Sequence, residues 1–336
     1  MDKSFITFLT NKDQGLEHFG LNLFDAVAKN YKWKLDDSSN TDNKVLTNIS
    51  CEIKNKGLTD IQKIINARLL ISQNLADKLN YPSEEIVNFT VKLWGQIRQN
   101  KDETITKYIQ IVDALRDLDN ITPSDLFNIE ELLPRNPSDH NITGISSWSK
   151  ILSVLNPYEF FVYDKRIHET LKLLWVIYCL KINKISSNKI TPYPIYFRPN
   201  GVNKRANFID RLLSSTIKFK RHRIHNKQLQ TYIDYCSFIK ELSESLQNST
   251  YNRQNYTWLD NQSTNINKEI IFRQLTEMSL FCLCGNEKPQ GMTLEEIKKI
   301  DLPFIKNGGY KTQPFYTGEE NLLKPIFDYY LDLIVK

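Results

Sequence analysis

Apolar residues recur at three- and four-residue steps along most of this chain, and this spacing restricts the possible fold more than any other feature. In residues 61–79 the apolar side chains fall mostly on one face of a helix, namely Ile61, Ile64, Ile65, Leu69, Ile71, Leu75 and Leu79. Similar patterns occupy residues 20–31, 84–99, 107–118, 168–182, 229–246, 268–283 and 322–335. Sustained alternation of apolar and polar residues, which is typical of strands, is scarce. The sequence therefore predicts a mainly α fold.

Proline and an oxygen-bearing residue precede two helical segments, as is common at helix N-termini. The sequence TPSD at 122–125 stands before residues 126–133, and YPSEE at 81–85 stands before residues 86–89. We therefore expect helices to begin at both places. No fixed-period repeat occurs, so a helical solenoid is not expected.

Polar stretches interrupt the helical pattern at residues 36–44, 186–203 and 248–268. They divide the chain into an N-terminal helical region (1–120), a central region (121–180) and a C-terminal helical region (181–336).

Composition excludes several classes of protein. No window approaches 18 unbroken apolar residues, and the N-terminus lacks the apolar run of a signal peptide, so we expect a soluble, cytoplasmic protein. The five cysteines are scattered, which predicts reduced thiols rather than disulfides or a metal site. Phosphate-binding loops of the Walker type and the Rossmann fingerprint are absent from the sequence. We therefore expect neither a metal nor a cofactor.

Positive charge is concentrated in one segment, although the formal net charge of the whole chain is only +5. Residues 198–227 contain nine Lys or Arg and a single acid, Asp210. The basic residues are Arg198, Lys204, Arg205, Arg211, Lys218, Lys220, Arg221, Arg223 and Lys227. Such a run is typical of a surface that binds a polyanion. The alternative is a solvated helical face with a loop.

The residues around Gly144 have the pattern of a hairpin that opens into a helix. Gly144 can adopt the positive φ of a tight turn, and the backbone N–H groups that follow it would lie at a helix N-terminus. Ser146, Ser147 and Ser149 add small donors that do not block a close approach. This arrangement predicts a site that holds a phosphate oxygen without reading base sequence.

Asp164 ends a short apolar run, Phe160 to Tyr163, which follows the helix-ending pair Asn156 and Pro157. An acid placed there would be half-buried among aromatic side chains. Such a carboxylate can stabilise an oxocarbenium-like sugar and orient an attacking water during N-glycosidic cleavage. The alternative is that Asp164 is the N-cap of the helix that follows, which is a common role for aspartate.

The order of hairpin, helix, extended apolar segment and aspartate resembles the helix-hairpin-helix DNA glycosylase superfamily, whose signature ends in a Gly/Pro-rich loop and an essential aspartate. The sequence GISSW at 144–148 resembles the GIGRW form of the hairpin in alkylbase glycosylases. The wider pattern of SWSKIL, NP and FFVYDKR is similar to bacterial proteins with an oxoguanine-glycosylase-like fold. Ser146 stands where a second glycine is usual, Arg166 stands where a histidine often follows the aspartate, and the spacing to Asp164 is short.

The resemblance implies a helical DNA-glycosylase-like fold, with a helix-hairpin-helix in residues 121–180, that binds DNA with one nucleotide flipped out. It also implies that Asp164 is the catalytic residue. Family members that cleave the strand place a lysine at the hairpin exit, where its amine forms a Schiff base with the sugar. Trp148 aligns with that position, and Lys150 lies about 200° further around the helix. A shifted gap would make Lys150 the nucleophile instead; otherwise it contacts a phosphate or pairs with Asp164.

The resemblance and the basic segment together assign a set of DNA contacts. They are Gly144, Ser146, Ser147, Ser149, Arg166, Lys204, Arg205, Lys218, Lys220, Arg221 and Arg223. Trp148, Tyr163 and His168 are candidates for the base pocket, and each has an ordinary core or helix role as its alternative.

The main functional hypothesis is a monofunctional DNA glycosylase that flips and excises a damaged or modified base from double-stranded DNA. Some of the bacterial proteins that the chain resembles act against phages, so a hypermodified phage base such as glucosylated hydroxymethylcytosine is a candidate substrate. The alternatives are an oxidised-purine repair glycosylase and a non-catalytic helix-hairpin-helix DNA-binding or adaptor protein. We expect the protein to act as a monomer without a membrane partner.

Overall fold

The computed structural model describes residues 3–10, 43–53, 60–94, 102–118, 120–135, 140, 142–182, 189–190, 218–219, 228–247 and 268–283. These residues are mainly helical, which confirms the predicted fold class. The segments predicted as helices at residues 20–31 and 322–335 lie outside the described residues.

The α-helices in the described part of the chain are α1 (Lys3–Thr10), α2 (Lys44–Ile53), α3 (Asp60–Gln73), α4 (Ser83–Val87), α5 (Asp102–Arg116), α6 (Ile145–Leu155), α7 (Lys165–Lys181), α8 (Gln228–Gln247) and α9 (Lys268–Leu283). A π-helical turn, Asn88–Trp94, continues α4, and two 3₁₀ turns, Pro123–Phe127 and Glu130–Leu132, precede α6. Two short parallel strands, β1 (Lys189–Ile190) and β2 (Lys218–Phe219), pair with Lys189 opposite Lys218 and Ile190 opposite Phe219.

The predicted helix over residues 61–79 is too long, because α3 ends at Gln73. Asn74 turns its side-chain amide back onto the Leu70 carbonyl at 2.7 Å. Asp77 then accepts the backbone N–H of Asn80 at 3.1 Å, which stabilises a turn. Leu79, which the apolar pattern placed on the helix, is 75% exposed. Side chains that bond their own backbone therefore outweigh the apolar spacing at this end of α3.

The helix predicted over residues 126–133 is also wrong, because this stretch forms 3₁₀ turns instead. The Asp125 carboxylate accepts both the N–H and the hydroxyl of Thr122, at 2.7 and 2.8 Å, and so closes a capping box. A helical turn does begin after Thr122, as predicted, but the chain turns again after a few residues. The predicted segment at 268–283, by contrast, coincides with α9.

One hydrophobic core includes buried residues from all three regions of the sequence. Helix α8 packs against α9 and α1, α9 packs against α7, and α6 packs against α3 and α5. The core therefore surrounds α6 and α7, the two helices that flank Asp164. The division at residues 120 and 180 stays a prediction. Within the described ranges, no helix is both long and apolar enough to cross a membrane.

Candidate active site

Gly144 lies between a short hairpin and helix α6. Arg135 and Ile142 form an antiparallel bridge, and the Thr143 N–H donates to the Pro134 carbonyl at 2.6 Å. Gly144 has φ +70°, the left-handed conformation expected of a glycine at this turn. Its carbonyl accepts the Ser147 N–H at 2.8 Å and thereby starts α6. The hairpin opens into a helix as predicted, but 3₁₀ turns precede it where a helix-hairpin-helix motif has an α-helix.

The Tyr108 hydroxyl packs directly against Gly144, a contact that the sequence did not indicate. A Cβ atom added to Gly144 would lie 2.6 Å from this oxygen. Tyr108 is buried, and its hydroxyl has no hydrogen bond of ordinary geometry among the described residues. Burial raises the pKa of Tyr108 to about 12, and an interaction with the Ser147 side chain offsets part of the rise. Both the backbone conformation and this neighbour therefore favour glycine at position 144.

The three serines of α6 occupy different environments. Ser146 is partly exposed in the first turn, whereas Ser147 and Ser149 are buried. The Ser149 Oγ accepts the Tyr163 N–H at 3.0 Å and so joins α6 to the segment before Asp164. Of the three predicted phosphate donors, Ser146 is thus the one whose side chain reaches solvent.

Trp148 is fully buried and belongs to the core, the alternative stated for it from the sequence. Its indole N–H donates to the Thr143 carbonyl at 3.1 Å. Its ring meets the edge of Tyr232 at a centroid distance of 4.7 Å. Trp148 therefore fixes the hairpin against helix α8.

The Lys150 side chain is buried beside its own helix. Its Nζ donates to the Ser146 carbonyl at 2.9 Å. Lys150 directly follows Ser149, and Asp164 directly follows Tyr163, so the Ser149–Tyr163 bond makes their two segments neighbours.

The extended segment from Phe160 to Tyr163 is buried, and side chains of surrounding helices form hydrogen bonds with the backbone of Phe161, Val162 and Tyr163. Tyr232 and Tyr235, both on α8, donate their hydroxyls to the carbonyls of Phe161 and Val162 at 2.9 and 2.7 Å. Burial raises the pKa of both tyrosine hydroxyls well above its ordinary value, which keeps them protonated donors. The segment is therefore fixed inside the core, and no partner strand pairs with it in the part of the chain that the structure describes.

Asp164 emerges from this segment at the start of α7. Its Oδ1 accepts the Ile167 N–H at 3.1 Å, so the carboxylate is the N-cap of α7. The side chain is neither fully buried nor fully exposed, as the sequence predicted. The capping role that the sequence offered as an alternative is present, and it engages one oxygen of the carboxylate.

Tyr163 and His168 lie together behind Asp164. The Tyr163 hydroxyl is 3.3 Å from His168 Nδ1, and both residues are fully buried. Tyr163 also meets the edge of Tyr235 at a centroid distance of 4.8 Å. The three candidates for the base pocket, Trp148, Tyr163 and His168, are thus core side chains in this structure.

Much of the predicted DNA surface is not described. Lys204, Arg205, Lys220, Arg221 and Arg223 lie outside the described residues. For Arg166 and Lys218, the structure describes the backbone alone, in α7 and β2 respectively. Among the residues that the structure describes, no cluster of His, Cys, Asp or Glu could hold a metal ion.

A buried ion pair beside the Asp164 segment was also missed from the sequence. Arg68 of α3 and Glu277 of α9 form two hydrogen bonds of 3.0 Å each. Glu277 Oε2 also accepts the Val162 N–H at 3.0 Å. The available signal was a charged residue inside each of two apolar helical segments, but these residues are 209 positions apart and the sequence gave no reason to pair them.

Comparison with known proteins adds no relative. No family model, no curated protein and no solved structure matches the chain.

Proposed function

We propose that this protein is a DNA glycosylase that flips a damaged or modified base out of the duplex and hydrolyses its N-glycosidic bond. The observation that carries the proposal is the placement of a half-buried carboxylate beside a hairpin-led helix. The Ser149–Tyr163 hydrogen bond fastens the Asp164 segment to α6, and Gly144 begins that same helix in a left-handed turn. The segment that we propose to bind phosphate and the proposed catalytic acid thus adjoin each other.

The two elements have complementary tasks in base excision. The first N–H groups of α6 have no partner within the helix, and the partial positive charge at this end favours a phosphate oxygen. The Asp164 carboxylate would stabilise positive charge on the sugar as the base departs and orient the attacking water. Arg166 and the basic residues of 198–227 would add salt-dependent contacts to the flanking phosphates.

The family resemblance indicates which substrates to test first. Hypermodified phage bases, such as glucosylated hydroxymethylcytosine, are the first candidates, because the chain resembles bacterial proteins of which some act against phages. Oxidised purines are the second. We propose a monomer on double-stranded DNA, acting with water rather than with a lysine nucleophile.

A second function is favoured by the capping bond itself. The hydrogen bond from the Ile167 N–H to Asp164 gives the aspartate a complete structural reason to be there. In this alternative, the protein is a DNA-binding or adaptor module that has the hairpin but no catalytic activity.

The substitution Asp164→Asn separates the two functions. Asparagine caps helices as well as aspartate does, so the free energy of unfolding should change by only a few tenths of a kcal/mol. A glycosylase would lose excision and keep its DNA affinity, because the amide cannot supply the negative charge. Excision is measured as strand breakage in hot alkali after incubation with damaged oligonucleotides and with modified phage genomes.

The matched control is Asn43→Ala. Asn43 Oδ1 accepts the Leu46 N–H at 2.8 Å and caps α2, far along the chain from Asp164. Loss of this cap should cost about 1 kcal/mol of stability and leave excision intact. Excision by Asp164→Asn at the wild-type rate would assign the residue to capping alone. A wild-type protein that binds DNA but breaks no substrate in the panel would favour the binding module.

A further inference from the structure

The Arg68–Glu277 pair is buried to a degree that requires explanation. The two side chains are 2% and 3% exposed, and they meet through both carboxylate oxygens. The Arg68 guanidinium also lies 4.6 Å from the centre of the Trp94 ring. Burying two charges costs desolvation energy that their attraction often only offsets, so apolar residues of similar volume commonly stabilise a core at least as well. Stability alone is therefore a weak reason for this pair.

Among the described residues, Glu277 accepts one further hydrogen bond, and it comes from the segment that leads to Asp164. Its Oε2 accepts the Val162 N–H, two residues before the aspartate, while Oε1 and Oε2 both accept from Arg68. An extended backbone N–H in a protein interior needs an acceptor, and here no neighbouring strand supplies one within the described ranges. Arg68 holds the carboxylate in place through two parallel bonds, which fix its orientation as well as its charge.

We propose that Glu277 is the positioning residue for Asp164 and that Arg68 fixes Glu277 in the required orientation. This inference rests on the proposed function for the role of Asp164, but the placement of the segment can be measured without any activity. The chain of contacts runs from Trp94 and Arg68 through Glu277 to the Val162 N–H. These contacts attach the segment before Asp164 to α9. The Ser149 hydrogen bond attaches the same segment to α6.

Other contacts attach the two residues just before this segment to α8 and α9. Lys240 of α8 forms an ion pair with Glu159, and Arg273 of α9 donates to the Tyr158 carbonyl at 2.8 Å. Arg273 and Glu277 are one helical turn apart, and they contact residues 158 and 162. Helix α9 therefore runs alongside residues 158–162 and bonds to their backbone through Arg273 and Glu277, of which Glu277 is nearer to Asp164.

The experiment compares two double variants that differ only in the acceptor for the Val162 N–H. Arg68→Met with Glu277→Gln removes both buried charges and keeps a side-chain oxygen at position 277. Arg68→Met with Glu277→Met removes both charges and the oxygen as well. For each protein we would measure hydrogen exchange at Val162 and Tyr163, DNA affinity, and the single-turnover rate of base excision. All measurements are made well below the unfolding temperature of each variant.

If Glu277 positions the segment, hydrogen exchange at Val162 and Tyr163 should be faster in the Met/Met variant and should return toward the wild-type rate in the Met/Gln variant, with exchange in α3 and α9 unchanged. The excision rate should fall at least tenfold in the Met/Met variant while DNA affinity stays the same, because small misplacements of a catalytic group are costly. The Met/Gln variant should recover most of that rate.

Equal exchange at Val162 in the two variants would overturn the proposal and leave a purely structural ion pair. If the wild-type protein excises a base, equal excision rates in the two variants would overturn the proposal as well. If the wild-type protein excises no base, the proposed function fails, and the exchange data alone then decide whether Glu277 places the Asp164 segment.

Discussion

The hydroxyl of Tyr108 lies over the α-carbon of Gly144, so that a Cβ atom at position 144 would stand 2.6 Å from it. This contact joins α5 to the hairpin from which the candidate phosphate site is built. Glycine is therefore favoured at position 144 for two separate reasons: its φ is +70°, and the Tyr108 hydroxyl lies where a side chain would begin.

The substitution Gly144→Ala should lower the free energy of unfolding by about 2–4 kcal/mol, through backbone strain and the clash together. Adding Tyr108→Phe should relieve the clash, because the next ring atom is 3.8 Å away, an ordinary contact. The double variant should then be destabilised by about 1–2 kcal/mol, from backbone strain alone. Tyr108→Phe alone is the control and should change stability by less than about 1 kcal/mol. Urea unfolding measures all three. No recovery in the double variant would mean that the hydroxyl does not limit position 144.

The Ser149 hydroxyl should matter more than its neighbour in the same helix. Ser149→Ala leaves the buried Tyr163 N–H without an acceptor, which should cost about 1–3 kcal/mol. Ser153 is equally buried, but its hydroxyl donates to the Lys150 carbonyl within α6. Ser153→Ala should therefore cost less than about 1 kcal/mol, since alanine favours the helix. Equal losses in the two variants, measured by chemical unfolding, would argue against the Ser149–Tyr163 bond.

The free energy of unfolding should decrease at alkaline pH because of buried groups that lose a proton there. Burial raises the pKa of Cys236 from its ordinary 9.0 to about 12 and that of Tyr108 from 10.0 to about 12. Above these ordinary values the unfolded chain releases its protons first, so it binds fewer protons than the native state and stability falls as pH rises. Each such group contributes up to about 1.4 kcal/mol per pH unit.

Tyr108→Phe removes one of these groups and provides the control for the pH dependence. Between pH 10 and 12, the free energy of unfolding should fall less steeply in this variant than in the wild type. Below pH 9.0, the pH dependence of the two proteins should be parallel. Parallel curves over the whole pH range would show that the pKa of Tyr108 is the same in the folded and unfolded states.

Lys150 should not form a Schiff base with DNA. Its Nζ donates to the Ser146 carbonyl of its own helix and would have to leave that bond to reach a sugar. Borohydride added during turnover should therefore trap no covalent adduct, and Lys150→Met should keep most of the excision activity. A trapped adduct in the wild type that Lys150→Met abolishes would instead assign a lyase mechanism to this lysine.

Residues 268–283 show where sequence reasoning succeeds. Their apolar spacing predicted a helix, and α9 occupies those residues because a long amphipathic pattern repeats one local signal many times. Residues 74–79 show where it fails, since the side chains of Asn74 and Asp77 form turns that no periodicity reports. Short polar contacts decide helix ends, and apolar spacing does not contain them.

The candidate site, too, was predictable from the sequence in part. The left-handed turn at Gly144 and the half-buried place of Asp164 were both predicted from residue types and their order along the chain. The two roles of Asp164 stayed open there, because an N-cap and a catalytic acid require the same residue at the same position. The capping bond itself became visible once the direction of α7 was known.

The sequence by itself determined the helical class, the hairpin-led helix and the aspartate that follows it, because these features depend on residues close together in the chain. Tertiary structure decided what surrounds them. It brought Tyr108 to Gly144 and Glu277 to Val162 across 115 residues. It also placed Trp148, Tyr163 and His168 in the core rather than at a surface. The contact between Glu277 and Val162 forms because a buried N–H group must find an acceptor among the packed helices, and the order of residues along the chain does not record which helix supplies it.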